Sequence, residues 1–584
     1  MRLRAGALAA IAVSSACATL TLSPASLSLD EKIGQVFVYA ARGSFVNEGS
    51  PEYRELLRAV REWRVGGILW YQSEKVYETA WLNRRLQEAA RVPLLVSADL
   101  EAGVGMRFED TTQWPWPMAV AATGDPGLAE REGRVVGEEA RALGVNQVYA
   151  PVADVNSDPD NPTVNVRSFG DDPETVARFV AAFVRGVQSA GVIATAKHFP
   201  GHGDTRTDSH RSLPTLGASR DRLDAVELVP FRAAIAAGVR SVMTAHLAVP
   251  ALDAAPAPAR PEGPAENVFT QEPGEIAAGA TVPASLSAAA TRDLLRKDLG
   301  FSGLVVTDAV DMGALVDHYD AGESAVRALL AGADQIPKSP DLPAAIAAVR
   351  RAVESGRLPR GVLDAAVARV LEAKRWAGAP MPDPERIFRF VDAPAHRALA
   401  EEIARRAITL VREEEGALPL PASARLAVVT VTDAPERIGG DLARELRRRL
   451  AAAPALYSVD GRTSEAEAAA VVEGAAGADA VLVALYVRPV AGRGRIGLPD
   501  PARAALQRVL AASPRAIAVA FGSPYALRDV PQAKTCLAAY GGETGAQVAA
   551  ARAVFGETAI SGRLPVAIPG VAPRGAGIAK AARP

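Results

Sequence analysis

Val192-Ile193-Ala194-Thr195-Ala196-Lys197-His198-Phe199-Pro200-Gly201-His202-Gly203-Asp204-Thr205-Arg206-Thr207-Asp208-Ser209-His210 is the stretch on which the reading of the chain turns. Its first five residues form an apolar and small run that predicts a buried strand. Pro200, Gly201 and Gly203 then predict a loop. Three of the six histidines of the chain fall here, together with Lys197, Asp204 and Asp208. Titratable groups gathered at the C-terminal end of a strand are what an α/β barrel presents to a substrate.

To either side, short β-like runs alternate with amphipathic helical stretches. The predicted strands are 35–41, 66–71, 93–98, 147–152, 192–196, 241–245, 303–307 and 334–336, with helical patterns between them, as at 51–63, 173–190 and 287–299. Such alternation implies a parallel sheet, and eight units over this length fit a barrel better than an open sheet. Residues 254–279, rich in Ala, Pro, Gly and Glu, predict a long surface loop after the sixth strand. Pro380-Met381-Pro382-Asp383-Pro384 marks a linker. Beyond a helix near 396–407 the alternation resumes, with strands at 425–431, 480–486, 516–521 and 535–540. The expected fold is a (β/α)8 TIM barrel over residues 29–377, a linker at 378–395, and a smaller three-layer α/β sandwich domain over 396–584.

The 584 residues suit two or three domains, and 49% apolar against 23% charged residues permits a large core. The net charge of −2 leaves no basic footprint for nucleic acid. Met1-Arg2-Leu3-Arg4 followed by an alanine-rich apolar run predicts an export signal over residues 1–22. Ala16-Cys17-Ala18 reads as a cleavage site. Ser14-Ser15-Ala16-Cys17 reads alternatively as a lipoprotein box, which would attach the protein to a membrane through a lipidated Cys17 and place it in the periplasm or at the outer membrane. Beyond that segment only Cys536 remains, so the mature chain cannot form an internal disulfide.

Asp308 follows the run Gly303-Leu304-Val305-Val306-Thr307, where an acid faces the mouth of a barrel. It could attack an electrophilic carbon, or serve only as a helix cap. Asp99, Glu101 and Arg107, and Arg167 after the fourth strand, suit a polyhydroxylated ligand or, equally, structural ion pairs. His198 and His202 are four apart, but Pro200 and the glycines rule against a helical pair of metal ligands. Neither metal nor cofactor is expected. In Asp208-Ser209-His210 the carboxylate can orient the imidazole and raise its basicity.

Lys197 through Thr205, followed by Asp208-Ser209-His210, resembles the signature of glycoside hydrolase family 3, in its β-N-acetylglucosaminidase branch, whose members act in peptidoglycan turnover. Asn161-Pro162 through Arg167-Ser168-Phe169-Gly170, Glu227-Leu228-Val229-Pro230-Phe231, Met243-Thr244-Ala245-His246 and Thr307-Asp308 resemble further family motifs in the same order. Gly562-Arg563-Leu564-Pro565-Val566 looks like the end of the second domain in two-domain members. The resemblance implies a retaining exo-β-N-acetylhexosaminidase, with peptidoglycan fragments or chitooligosaccharides as the carbohydrate substrate. It assigns Asp308 as nucleophile and His210 as acid/base paired with Asp208. Asp99, Arg107, Arg167, Lys197 and His198 surround the sugar, while His202 shapes the loop. The glycines opening that loop leave His210 room to swing during turnover. One departure is Val104, which stands where the family has an arginine. Family 3 β-glucosidases and β-xylosidases take the acid/base from the second domain and lack the Asp-x-His pair. A non-catalytic muropeptide-binding protein is the alternative from another class.

Overall fold

The computed structural model describes residues 22–41, 47–72, 75–258, 279–414, 416–434, 438–513 and 515–583. The export signal with Cys17, and most of the 254–279 loop, lie outside the described residues. The chain forms two compact units.

The first unit is built on eight strands: β1 (Phe37–Ala41), β2 (Gly67–Trp70), β3 (Leu95–Ala98), β4 (Gln147–Val148), β5 (Ile193–Phe199), β6 (Ser241–Thr244), β7 (Leu304–Thr307) and β8 (Ile336–Pro337). Each pairs in parallel with its neighbour in the order 7-6-5-4-3-2-1-8. The ring closes through a single parallel bridge between Val306 and Gln335, giving a nearly closed TIM-like barrel. Every predicted strand of this region is present. Most are shorter than expected, and the loss falls mainly at their N-terminal ends.

Inside the ring, Val38, Leu69, Tyr149, Met243 and Val306 form one packed cluster. Leu95, Ile193 and Leu304 open three alternate strands and pack on Val370, Ala373 and Ala377 of the helix Arg360–Ala377, so the N-terminal end of the barrel is plugged with apolar side chains. What remains polar is the opposite end, where barrels carry their chemistry.

The second unit contains β9 (Thr409–Arg412), β10 (Leu426–Thr432), β11 (Ala455–Val459), β12 (Ala480–Val487), β13 (Ala516–Gly522) and β14 (Thr535–Ala538). Their order is 11-10-12-13-14-9, all parallel except β9, which runs antiparallel to β14. A sheet covered on both faces needs apolar residues at every position, and the alternation shows it. Val481, Val483, Leu485 and Val487 face one core with the helices Glu465–Ala476 and Asp500–Ala512. Ala480, Leu482, Ala484 and Tyr486 face the other with Pro394–Ala407, Gly440–Arg449 and Thr544–Val554. The result is three layers.

Two segments that the strand–helix alternation places within the barrel region pack with this second unit instead: Gln113–Ala129 and Val155–Phe179. Met118, Ala119, Ala122 and Val166 are buried among the strand and helix residues of its core. Residues 378–393, read from sequence as linker, pack with the first unit.

Candidate active site

Six consecutive strands of the barrel deliver polar groups from their C-terminal ends. Asp99 follows β3 directly. Asp154 lies six residues beyond β4, Lys197 and His198 close β5, and His246 stands two residues past β6. Asp308 follows β7 and Lys338 follows β8.

Lys197 is the hub of one side. Its Nζ lies 2.7 Å from Asp99 Oδ1 and 2.6 Å from Glu101 Oε1. Arg107 Nη2 approaches the other Asp99 oxygen at 3.6 Å. Lys197 and Glu101 are almost fully buried, whereas the Asp99 side chain keeps 23% of its surface. Burial works to raise the Asp99 carboxyl, but the charges of Lys197 and Arg107 outweigh it and hold the group below its ordinary value. Asp99 is therefore an ionised acceptor open to a ligand's hydroxyls, locked in place from behind by two cations.

His198 points its Nδ1 at Asp154 Oδ2, 2.7 Å away. The other oxygen of Asp154 accepts the backbone N–H of His198 at 3.2 Å and of His202 at 2.7 Å. Asp154 is wholly buried. Burial tends to raise its carboxyl, and the facing His198, together with these hydrogen bonds, brings it below the ordinary value.

Further along the loop, His202 spends both ring nitrogens internally. Nδ1 lies 2.8 Å from Thr205 Oγ1 and Nε2 3.1 Å from Ser209 Oγ. The Thr205 hydroxyl gives its proton to the His202 carbonyl at 3.1 Å. Nδ1 is therefore the donor, and Nε2 accepts from Ser209. Burial drops this imidazole to about 4, so it is neutral. Six residues on, Asp208 Oδ1 accepts both the backbone N–H of His210 at 2.9 Å and its Nδ1–H at 2.8 Å. Asp208 is buried while the His210 side chain keeps 20% exposure. The carboxylate is thus hidden and the imidazole presented, as an oriented proton carrier requires.

This loop is tied to the segment after β7. Gly313 N–H donates to the His210 carbonyl at 3.3 Å and Ala314 N–H to that of Ser209 at 3.2 Å. The freedom expected from its glycines is therefore reduced at the residue that would use it.

Asp308 itself has its backbone fixed by a bond from its N–H to the Thr244 carbonyl at 2.9 Å, and its Oδ1 accepts from Ala309 N–H at 2.7 Å. Burial would raise this carboxyl. The facing charges of His198, His246 and Lys197 overcome that and lower it to about 2. His246 grips the same peptide: its Nε2–H donates to the Ala309 carbonyl at 2.9 Å, and its Nδ1 pairs with Ser285 Oγ at 2.8 Å. A carbonyl can only accept, so the proton sits on Nε2, and Nδ1 takes the Ser285 hydroxyl proton. Asp311 pairs with Lys338 at 3.0 Å, and Lys338 Nζ stands 4.4 Å from the centre of the Tyr71 ring.

Seven of the eight residues singled out from sequence (Asp308, His210, Asp208, Asp99, Arg107, Lys197 and His198) thus lie in the first unit. Arg167 is placed in the second, where its Nη1 donates to the Thr163 carbonyl at 2.8 Å. Sequence reasoning did not find the roles of Asp154 and His246. The His246 motif was visible without a chemical reason attached, and Asp154 carries no spacing signal toward a histidine 44 residues away. Among the described residues no cluster of three or more His, Cys, Asp or Glu side chains is arranged to hold a metal ion. The Nδ1 atoms of His198 and His202 are already engaged with Asp154 and Thr205.

Residues 28–373 match the glycosyl hydrolase family 3 N terminal domain, and residues 408–576 match the C-terminal domain of the same family. The chain is 32% identical over 559 residues to a beta-N-acetylglucosaminidase/beta-glucosidase of Cellulomonas fimi, spanning 93% of this chain and 94% of that protein. It is 31% identical over 377 residues to the beta-hexosaminidase LpqI of Mycobacterium tuberculosis, spanning 62% of this chain and 87% of that protein. Among solved structures, a glycoside hydrolase family 3 beta-N-acetylglucosaminidase from a Paenibacillus species matches with a TM-score of 0.79 at 32% identity, over 93% of this chain and 99% of that one.

Proposed function

The chain belongs to glycosyl hydrolase family 3, and on that premise we propose that it is a retaining exo-β-N-acetylhexosaminidase. It releases terminal β-linked N-acetylglucosamine from peptidoglycan fragments or chitooligosaccharides. The observation that carries this reading is the Asp208–His210 pair, with the carboxylate buried and the imidazole presented beside the barrel mouth.

Retaining glycosidases need a nucleophile that is ionised and a second group that first gives and then takes a proton. Asp308, lowered to about 2, meets the first requirement at any physiological pH. Its carboxylate attacks the anomeric carbon as the bond to the leaving oxygen breaks, and that oxygen takes the proton from His210 Nε2. In the second half the same Nε2 removes a proton from water, which displaces Asp308 from the sugar. Asp208 keeps Nδ1 protonated throughout, so all proton traffic runs through Nε2. Asp99, Lys197, His198 and Arg107 hold the sugar hydroxyls.

A panel of aryl β-N-acetylglucosaminide, β-glucoside and β-xyloside, with the anomer of the first product recorded, tests the proposal. Fast release from the first substrate with a β product supports it, and an α product removes the two-step mechanism. Asp308→Asn must abolish release. The Cellulomonas fimi relative is named for both activities, which favours measurable glucoside cleavage as a second activity of the same site. Export with a lipid on Cys17 belongs to the same proposal. Incorporation of labelled palmitate that disappears in Cys17→Ser supports it, and a mature chain beginning after Cys17 overturns it.

A further inference from the structure

We propose that Asp154 is a positioning residue that fixes the tautomer of His198 and thereby decides what the sugar meets at its Nε2. The argument rests on geometry. One carboxylate oxygen is occupied by two backbone N–H groups, those of His198 and His202. The second oxygen faces His198 Nδ1 at 2.7 Å. An ionised carboxylate can only accept. Nδ1 must therefore carry a proton, and the neutral ring presents an unprotonated Nε2 on its far side. The active centre thus holds two Asp–His pairs with the same sense of proton placement, one at His210 and one at His198. They differ in exposure. The His198 side chain keeps 7% of its surface against 20% for His210.

His198 also faces Asp308. The ring that Asp154 orients is thus also a neighbour of the nucleophile. Asp154 acts on substrate and nucleophile alike, through one ring.

Asp154→Asn separates this role from a merely structural one. The two backbone N–H groups require an acceptor, so the amide oxygen takes their side and the amide NH2 faces Nδ1. Nδ1 must then accept, and the proton moves to Nε2. The 15N shifts of the histidine rings in protein labelled at its six histidines, recorded at a pH where the rings are neutral and assigned with His198→Gln, read this directly. The expected result is an Nδ1–H tautomer for His198 in the wild type and an Nε2–H tautomer in Asp154→Asn. A wild-type Nε2–H tautomer overturns the proposal, even if the variant fails to fold.

The kinetic readout rests on the hexosaminidase reading. On the glycoside that the wild type cleaves fastest, Asp154→Asn is expected to lose on the order of 10²-fold in kcat/KM. In the His198→Gln background the further loss should be less than about twofold. An equal loss in both backgrounds means that Asp154 does not act through His198. Should the wild type cleave none of the glycosides, the hexosaminidase reading fails alone, and the ring shifts still decide the role of Asp154.

Discussion

Asp308 and His210 do different work because their surroundings differ. The nucleophile is ringed by His198, His246 and Lys197, which overcome its burial and hold it near 2. Since the folded value lies below the ordinary carboxylate value, its contribution to stability is complete above about pH 4 and is lost as the pH falls through about 2. Lys197→Met removes one of the cations that lower both Asp308 and Asp99. Both carboxyls then rise, and the acid limb of kcat/KM must move to higher pH. An unmoved acid limb in the variant's pH profile would show that neither carboxyl limits the reaction there. For the proton carrier, Asp208→Ala removes the oxygen that accepts Nδ1–H and the backbone N–H of His210, so the ring loses its orientation and its fixed proton, which spoils the base. General acid–base assistance contributes about 10²–10⁴-fold. The loss in kcat should approach that range when deglycosylation limits turnover. Release of a strongly activated leaving group in the first half-reaction, read as a pre-steady-state burst, should suffer far less. Equal losses in burst rate and steady state would argue against a dedicated acid/base.

At the scale of elements, the weakest join of the barrel is the seam between β7 and β8, which share one bridge. Asp334, wholly buried just before β8, staples it. One oxygen accepts Val305 N–H at 2.8 Å and Arg296 Nη2 at 2.7 Å, and the other accepts Arg369 Nε at 2.8 Å. Asp334→Ala leaves two guanidinium groups and a strand N–H without their acceptor, so it should cost about 3 kcal/mol or more. Thermal melts followed by circular dichroism should show a clear drop. An unchanged melting temperature would mean that the helices alone hold the seam. The same scale explains what the sequence made legible. Strands buried on both faces announce themselves as apolar runs, as Ala480–Val487 does with every residue buried. Ala455–Val459 was missed because it is an edge strand with three of its five residues exposed, so no run marks it. Thr409–Arg412 was missed because it is four residues long and follows a helix almost directly. In the candidate site, residues on local motifs were legible, whereas Asp154 and His246 act through partners distant in sequence. Only folding brings those partners together.

At the scale of the whole molecule, the two units are not two successive lengths of chain. Gln113–Ala129 and Val155–Phe179 leave the barrel sequence to pack within the second unit. Their anchoring there is both apolar and polar. Met118 and Val166 are fully buried in its core. Asn156 Nδ2 donates to the Tyr525 hydroxyl at 2.9 Å. Asp171 takes Ala567 N–H at 2.7 Å and Arg574 at 2.9 Å. Removing residues 394–584 would strip these segments of the groups that cover them. Each large apolar side chain left in water forfeits about 1.5–3 kcal/mol, and the buried Asn156 amide and the half-buried Asp171 carboxylate lose their partners as well. The total is comparable with the whole stability of a domain. A chain ending at Ala393 is therefore expected to be insoluble, or to be recovered in a form that binds a hydrophobic dye and melts without cooperativity. Recovery of that fragment as a cooperatively folding monomer with the full-length kcat/KM would show that the barrel covers the two segments by itself.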